Sequence, residues 1–270
     1  MRRELKIALI LALIGGILTT AAFVMTFTSA EVRDFGLYNS PDRLDTSFIA
    51  PPGEQPNPPD GTINYARPWF AQKIFFFHVP IAITSFLALT VTAVFAILFM
   101  TKREKKYDIR SKVAMELTLV FVVGTMVSGT LWTLASWTGG NIASFVNQLV
   151  SEPRLLTYTV MMLLVIAYFV LRNSIEEDER RAMYSSVYAA LSWFIAPISY
   201  FAADLLGRWM VPLHPEVFKS GMDPSNLIPF LTAMVGMIML GYAIYALRVA
   251  EESSQDKLLA IKEAIEDDAA

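Results

Sequence analysis

Apolar runs of about 20 residues recur along this chain with short charged segments between them, and nothing else constrains its fold as tightly. A helix rises about 1.5 Å per residue, so each run can cross a hydrocarbon core of about 30 Å. Within lipid every backbone N–H and C=O must be satisfied internally, which leaves α-helices or a closed β-barrel. A barrel reads as shorter stretches of alternating apolar and polar residues, and none is evident. The expected fold is all-α, a polytopic membrane bundle of six transmembrane helices. The spans fall near 5–28, 74–100, 113–135, 155–172, 183–206 and 227–248. One membrane domain, 1–248, accounts for them. A proline-rich segment at 29–73 and an acidic tail at 249–270 stand outside it. Only 17% of residues are charged, well below the usual quarter, as a bundle facing lipid requires.

Lysine and arginine set the expected orientation. All but Arg33, Arg43, Arg67, Lys73, Arg154, Arg208 and Lys219 of the 22 basic residues fall on one side of these spans. That side is read as cytoplasmic, with both termini inside and a multi-pass location in the cell membrane. The first span could be a signal peptide, since Thr28-Ser29-Ala30 resembles a cleavage site. Its apolar stretch is longer than the usual 7–15-residue core of such a peptide, which favours a retained helix. Seven of the 14 prolines lie in 29–73, so an extended, irregular extracytoplasmic loop is expected there. The acidic tail reads as a solvated helix near Asp256–Glu266. A net charge of −3 gives no reason to expect nucleic acid. The absence of cysteine excludes disulfides, thiolate ligation and thioether attachment of a cofactor to this chain.

The chain has two histidines. His78 stands at the outer start of the second span, in Phe75-Phe-Phe-His78-Val-Pro80, and His214 just beyond the fifth, in Trp209-Met-Val-Pro-Leu-His214. An even number of crossings separates them, so they share one face in either orientation. Two same-face imidazoles can ligate one metal axially, and haem iron is the first candidate. The plain alternatives are an interfacial imidazole at 78 and a structural loop residue at 214. Ionisable groups at membrane depth are costly and usually face a functional interior, which weighs against the first.

Trp132, Trp137 and Trp209 also reach the outer boundary, as does Trp69. Indole rings favour that zone in any membrane protein. A second reading makes them a platform of flat apolar rings for a porphyrin. Glu152-Pro153-Arg154 opens the fourth span on the same side. An arginine at a helix start opposes the macrodipole, so local stability does not explain it. Its guanidinium suits a carboxylate, and a haem propionate or an acidic lipid headgroup would serve equally.

These motifs together resemble the haem exporter protein C type of haem-handling membrane protein from cytochrome c maturation, over about residues 70–220. Phe77-His-Val-Pro80 resembles the family's first histidine motif. Gly129-Thr-Leu-Trp132 with Trp137-Thr-Gly139 is similar to the start of its tryptophan-rich outer segment, and Glu152-Pro-Arg-Leu-Leu-Thr157 to the end of it. Pro197-Ile-Ser-Tyr-Phe201 and Trp209 to His214 look like the approach to the second histidine. The resemblance implies haem b bound non-covalently, with His78 and His214 as axial iron ligands. Trp132, Trp137 and Trp209 would flank the ring, with Arg154 and Glu152 beside it. It implies presentation to a membrane-anchored extracytoplasmic haem chaperone, alongside ABC transporter subunits, with no covalent change that would make the chain an enzyme. The chain departs from the family at 138–151, which is longer than usual and holds no tryptophan. Two other classes remain open: a b-type cytochrome subunit carrying electrons, and a cofactor-free membrane scaffold or transporter component. A buried two-haem cytochrome normally uses four histidines within its spans, and this chain has two.

Overall fold

A computed structural model of the chain describes residues 2–28, 30, 73–136, 138, 141–210 and 224–268. Among these it is helical, with no strand. The helices are α1 (Arg2–Thr28), α2 (Phe75–Lys102), α3 (Lys105–Ser136), α4 (Ile142–Ser151), α5 (Pro153–Asn173), α6 (Asp178–Ser192), α7 (Ile195–Tyr200), α8 (Ala202–Leu206) and α9 (Pro224–Asp268). Of these, α1, α2, α3, α5 and α9 are long and apolar enough to cross a membrane. The molecule is an all-α, polytopic membrane bundle.

Pro197 divides the remaining expected span into α6, α7 and α8. A proline four residues on clashes with the Trp193 carbonyl and cannot donate to it. That carbonyl instead accepts from the Ala196 N–H at 3.0 Å, and the Phe194 N–H turns to Leu191 O at 3.3 Å. Trp193 Nε1 donates to Thr90 Oγ1 at 3.0 Å, so the break packs against the middle of α2.

The interior joins α2, α3, α5 and the segment from α6 to α7 around Leu89, Met115, Val122, Tyr158, Met161, Val165 and Tyr168. Lipid provides little hydrophobic drive between helices, so small residues and hydroxyls carry the close contacts. Thr92, Thr118 and Thr125 each donate to the carbonyl four residues back, which leaves no buried hydroxyl proton unsatisfied at these sites. Ser111 donates across to Thr92 O at 3.0 Å, joining α3 to α2. Outside this interior the spans present large apolar side chains such as Leu13, Val120, Val170 and Leu191, each more than 60% exposed, as a surface bathed in acyl chains should.

Helices α2 and α3 reverse through Arg103, whose backbone is left-handed at φ 55° and whose N–H caps Phe99 O at 2.8 Å. Helix α1 lies outside the interior and packs chiefly on α9. A Cβ on Gly15 would stand 2.9 Å from Gly236 O, and one on Gly236 would stand 2.7 Å from Thr19 Oγ1. The two backbones therefore touch.

Both described ends of the chain lie at one end of the bundle, where a layer of ion pairs also lies. Arg172 of α5 grips Asp108 of α3 with two bonds, at 2.8 and 2.6 Å. Glu252 accepts from Lys112 at 3.0 Å and from Arg248 at 2.6 Å, and Arg248 also donates to Glu116 at 2.9 Å. Helix α9 runs unbroken past this layer to Asp268, so the expected tail helix is a continuation of the last span.

Candidate functional site at the opposite end of the bundle

Successive residues turn about 100° around a helix, so four in a row face four directions. At the start of α2 these are Phe75, Phe76, Phe77 and His78. Phe75 stacks on Phe230 of α9 at 5.3 Å, and Phe76 is buried in the same cluster. Phe77 meets Phe23 of α1 at 5.4 Å. With three rings anchoring the other faces, His78 is left directed at α3. Lys73 fixes the same corner, its ammonium donating to the carbonyls of Thr26 and Ala30 at the end of α1. Burial lowers the Lys73 pKa below its ordinary 10.5.

His78 is 8% exposed and lies in a cradle made by one stretch of α3. Its Nδ1 is 2.9 Å from Ser128 Oγ. The imidazole meets the Trp132 ring edge-on at 5.8 Å between centroids. A Cβ on Gly129 would stand 3.0 Å from His78 Cε1, so the absent side chain is what lets the ring come this close. Trp132 is 4% exposed. It packs against the histidine at the outer boundary where the sequence placed it.

Glu152 is fully buried and caps α5, its carboxylate accepting from the Leu155 N–H at 2.7 Å, with Pro153 at the first helical position. The sequence Glu-Pro-Arg is thus a helix start, and the carboxylate sits where the helix dipole favours a negative charge. Arg154 follows in the first turn and is half-buried. Thr157 Oγ1 lies 3.1 Å from Ser199 Oγ, which brings the end of α7 to the start of α5. The chain after α8 therefore emerges at the His78 end of the bundle. Trp209 stands there 77% exposed, on a turn closed by its N–H to Leu206 O at 2.9 Å. Trp137 and His214 lie outside the described residues, as do residues 29 and 31–72 of the expected loop.

The tryptophan-free stretch holds a feature the sequence reading missed. Asn141 caps α4 by accepting from the Ser144 N–H at 3.0 Å. Ile142, Phe145, Val146, Leu149 and Val150 then recur at helical spacing on one face. Phe145 and Leu149 are half-buried, whereas Ile142, Val146 and Val150 are exposed. The capping residue and the i, i+3, i+4, i+7, i+8 pattern were both present in the sequence as the signal. Ser128 was missed as well, because a serine inside a span carries no signal until its neighbour across the helix pair is known.

The profile of a family described as Heme exporter protein C matches residues 67–262. Proteins called Heme exporter protein C from Paracoccus denitrificans and Rhodobacter capsulatus are each 22% identical to this chain, over 70% and 71% of it and 76% of their own length. One from Bradyrhizobium diazoefficiens is 23% identical over 67% of this chain and 66% of its own.

Proposed function

This chain belongs to the Heme exporter protein C family, and we propose that it holds haem b non-covalently at one end of its bundle and passes it on. Its role is haem handling for cytochrome c maturation, in company with other components of that system. His78 and His214 are the axial iron ligands in this reading, and the His78 end faces the extracytoplasmic side. The carrying observation is the cradle: a buried imidazole held between Ser128, Gly129 and Trp132, at the end of the bundle where Trp209 emerges. His214 is four residues along the chain from Met210, the last described residue of that segment. The donor set suits haem, since a neutral imidazole with one nitrogen hydrogen-bonded offers the other to iron. Bound haem supplies two axial iron positions and two propionates.

The residues then divide the work. His78 is the fixed ligand, held by packing on three sides, and His214 is the ligand supplied by a connecting segment. Trp132 backs His78 and limits its rotation. Trp209 and Trp137 would flank the ring, and the apolar face of α4 would offer it a further surface. Arg154 pairs with a propionate, and Glu152 positions it by fixing where α5 begins. Lysine and arginine counts support a cytoplasmic paired-charge end, with the haem site at the outer surface of the cell membrane in this reading. An exposed edge there suits transfer to a membrane-anchored haem chaperone, with ABC transporter subunits as further partners. Residues 1–248 form the membrane domain in this reading. No covalent change to the haem is involved, so the chain acts as a carrier.

Absorption spectra of detergent-purified protein, oxidised and reduced, test the reading. Wild type is expected to show a Soret band with low-spin, six-coordinate features. His78→Ala and His214→Ala should each lose or shift that band while still inserting in the membrane. Normal haem retention with both histidines replaced would refute the ligand assignment.

A further inference from the structure

We infer that Ser128 is a positioning residue that holds His78 as the Nδ1–H tautomer and so leaves the lone pair on Nε2, the nitrogen that would ligate iron. The inference rests on the reading of His78 as an iron ligand, but its first test does not need haem.

The argument is a count of protons. Ser128 Oγ lies 2.8 Å from Gly124 O and 3.1 Å from Thr125 O, both carbonyls of its own helix. Carbonyl oxygens only accept, and a serine hydroxyl has a single proton to give. That proton is committed to the helix backbone, as is common for hydroxyls in spans. Toward His78 the same oxygen can then present only a lone pair. With the proton on the helix backbone, the 2.9 Å contact is a bond donated by Nδ1–H, and this is the direction we infer. A neutral imidazole with its proton on Nδ1 carries its lone pair on Nε2.

The surroundings keep this arrangement from being exchanged for another. Turning the ring by half a revolution would replace Nδ1 with a C–H opposite Ser128 and forfeit the bond. Trp132 lies edge-on to the ring, and Gly129 is close enough to Cε1 that even a methyl group there would press on it. In known metal sites a ligating histidine donates its other N–H to a fixed acceptor, which sets the tautomer and raises ligand basicity. Here the acceptor is a hydroxyl polarised by the α3 backbone. Ser128 touches neither the haem nor the transferred group, so it acts only through His78.

The test reads the imidazole directly. The chain carries two histidines, so 15N-histidine labelling of the full-length, haem-free protein without a histidine tag gives two pairs of imidazole nitrogen signals. The spectrum of His214→Ala identifies the pair belonging to His78. At a pH where the ring is neutral, His78 is expected to show a protonated Nδ1 and an unprotonated Nε2. Ser128→Ala should give a mixture or the opposite tautomer, and Ser128→Thr, which keeps the hydroxyl, should restore the wild-type pattern. A proton on Nε2 in wild type, or an unchanged Nδ1–H tautomer in Ser128→Ala, would overturn the inference. In haem-loaded protein, Ser128→Ala should raise the reduction potential and alter the low-spin electron paramagnetic resonance signal, with Ser128→Thr close to wild type. Wild type that shows the expected tautomer but takes up no haem would sink the functional reading and leave the tautomer assignment standing. An unmoved potential in loaded Ser128→Ala would count against the positioning role.

Discussion

His78 owes its direction to what surrounds it. Phe75, Phe76 and Phe77 bind the start of α2 to α9 and α1, and Gly129 leaves the one gap into which an imidazole can settle against α3. Filling that gap should separate local from global effects. Gly129→Leu places branched bulk where a Cβ alone would be 3.0 Å from the ring, so His78 must move. Overpacking of this kind costs about 1–3 kcal/mol, which a bundle of this size should withstand. The expected outcome is monodisperse protein, by size-exclusion chromatography in detergent, whose Soret band is lost or changed to a five-coordinate form. A wild-type spectrum from Gly129→Leu would mean that the cradle does not set the position of His78. At this scale the sequence revealed the chemistry but only part of the geometry. Histidine and tryptophan were recognisable by type, and Glu152 as the start of a span. That Trp132 stands behind His78, and that Ser128 meets Nδ1, depends on the register between α2 and α3, which no local pattern encodes.

Helices were legible wherever lipid dictates them. A run of apolar residues in a bilayer has one way to satisfy its backbone, so the expected spans and the observed helices agree to within a few residues over α1, α2 and α5. Elements governed by one residue or by an edge were harder to place. The span that holds Pro197 breaks at Trp193–Phe194 and at Phe201, the first break set by the carbonyl four residues before the proline. Helix α4, at ten residues, is too short to span a bilayer, so the length of its apolar run does not mark it in the sequence. The contact between α1 and α9 is also invisible locally, since Gly15 and Gly236 are separated by most of the chain. Yet it is the tightest backbone approach among the described glycines. Gly236→Leu should force the two helices apart, since its Cβ would meet Thr19 Oγ1 at 2.7 Å and the Thr19 backbone N at 2.9 Å. A loss of about 1–3 kcal/mol is expected. It would appear as a lower midpoint for thermal aggregation in detergent and as greater protease access to α1. Haem spectra of the surviving folded fraction should change little, because α3 supplies the residues against His78 and the anchors of α2 on α1 and α9, Phe23 and Phe230, lie a turn or more from the Thr19–Gly236 contact. Equal stability of wild type and Gly236→Leu would show that the α1–α9 contact is not close in the membrane.

Across the whole molecule the two ends of the bundle are built from different materials. The His78 end relies on aromatic rings, one caged imidazole and a capped helix start. The opposite end relies on ion pairs, of which Asp108–Arg172 is the most enclosed, with each side chain about 10% exposed. That pair joins α3 to α5, the helices that carry the Ser128–Trp132 stretch and the Glu152–Arg154 start at their other ends. A change in their relative tilt at the charged end is therefore felt at the cradle, a full span away. Charges so far from water are costly to bury, and their attraction roughly offsets that cost, so the pair adds little net stability over an apolar one of similar shape. Removing one member is a different matter, since the other is stranded. Asp108→Leu or Arg172→Met alone is expected to cost about 3–5 kcal/mol and to give poorly folded or aggregating protein. The double variant Asp108→Leu/Arg172→Met should recover most of the loss. If the pair also sets the helix tilt, the recovered double variant should still bind haem with an altered spectrum, because apolar side chains keep the helices together without fixing their angle. A double variant as unstable as either single one would mean that these charges hold the bundle together by more than their mutual neutralisation. One with wild-type stability and a wild-type spectrum would confine the pair to local packing at its own end.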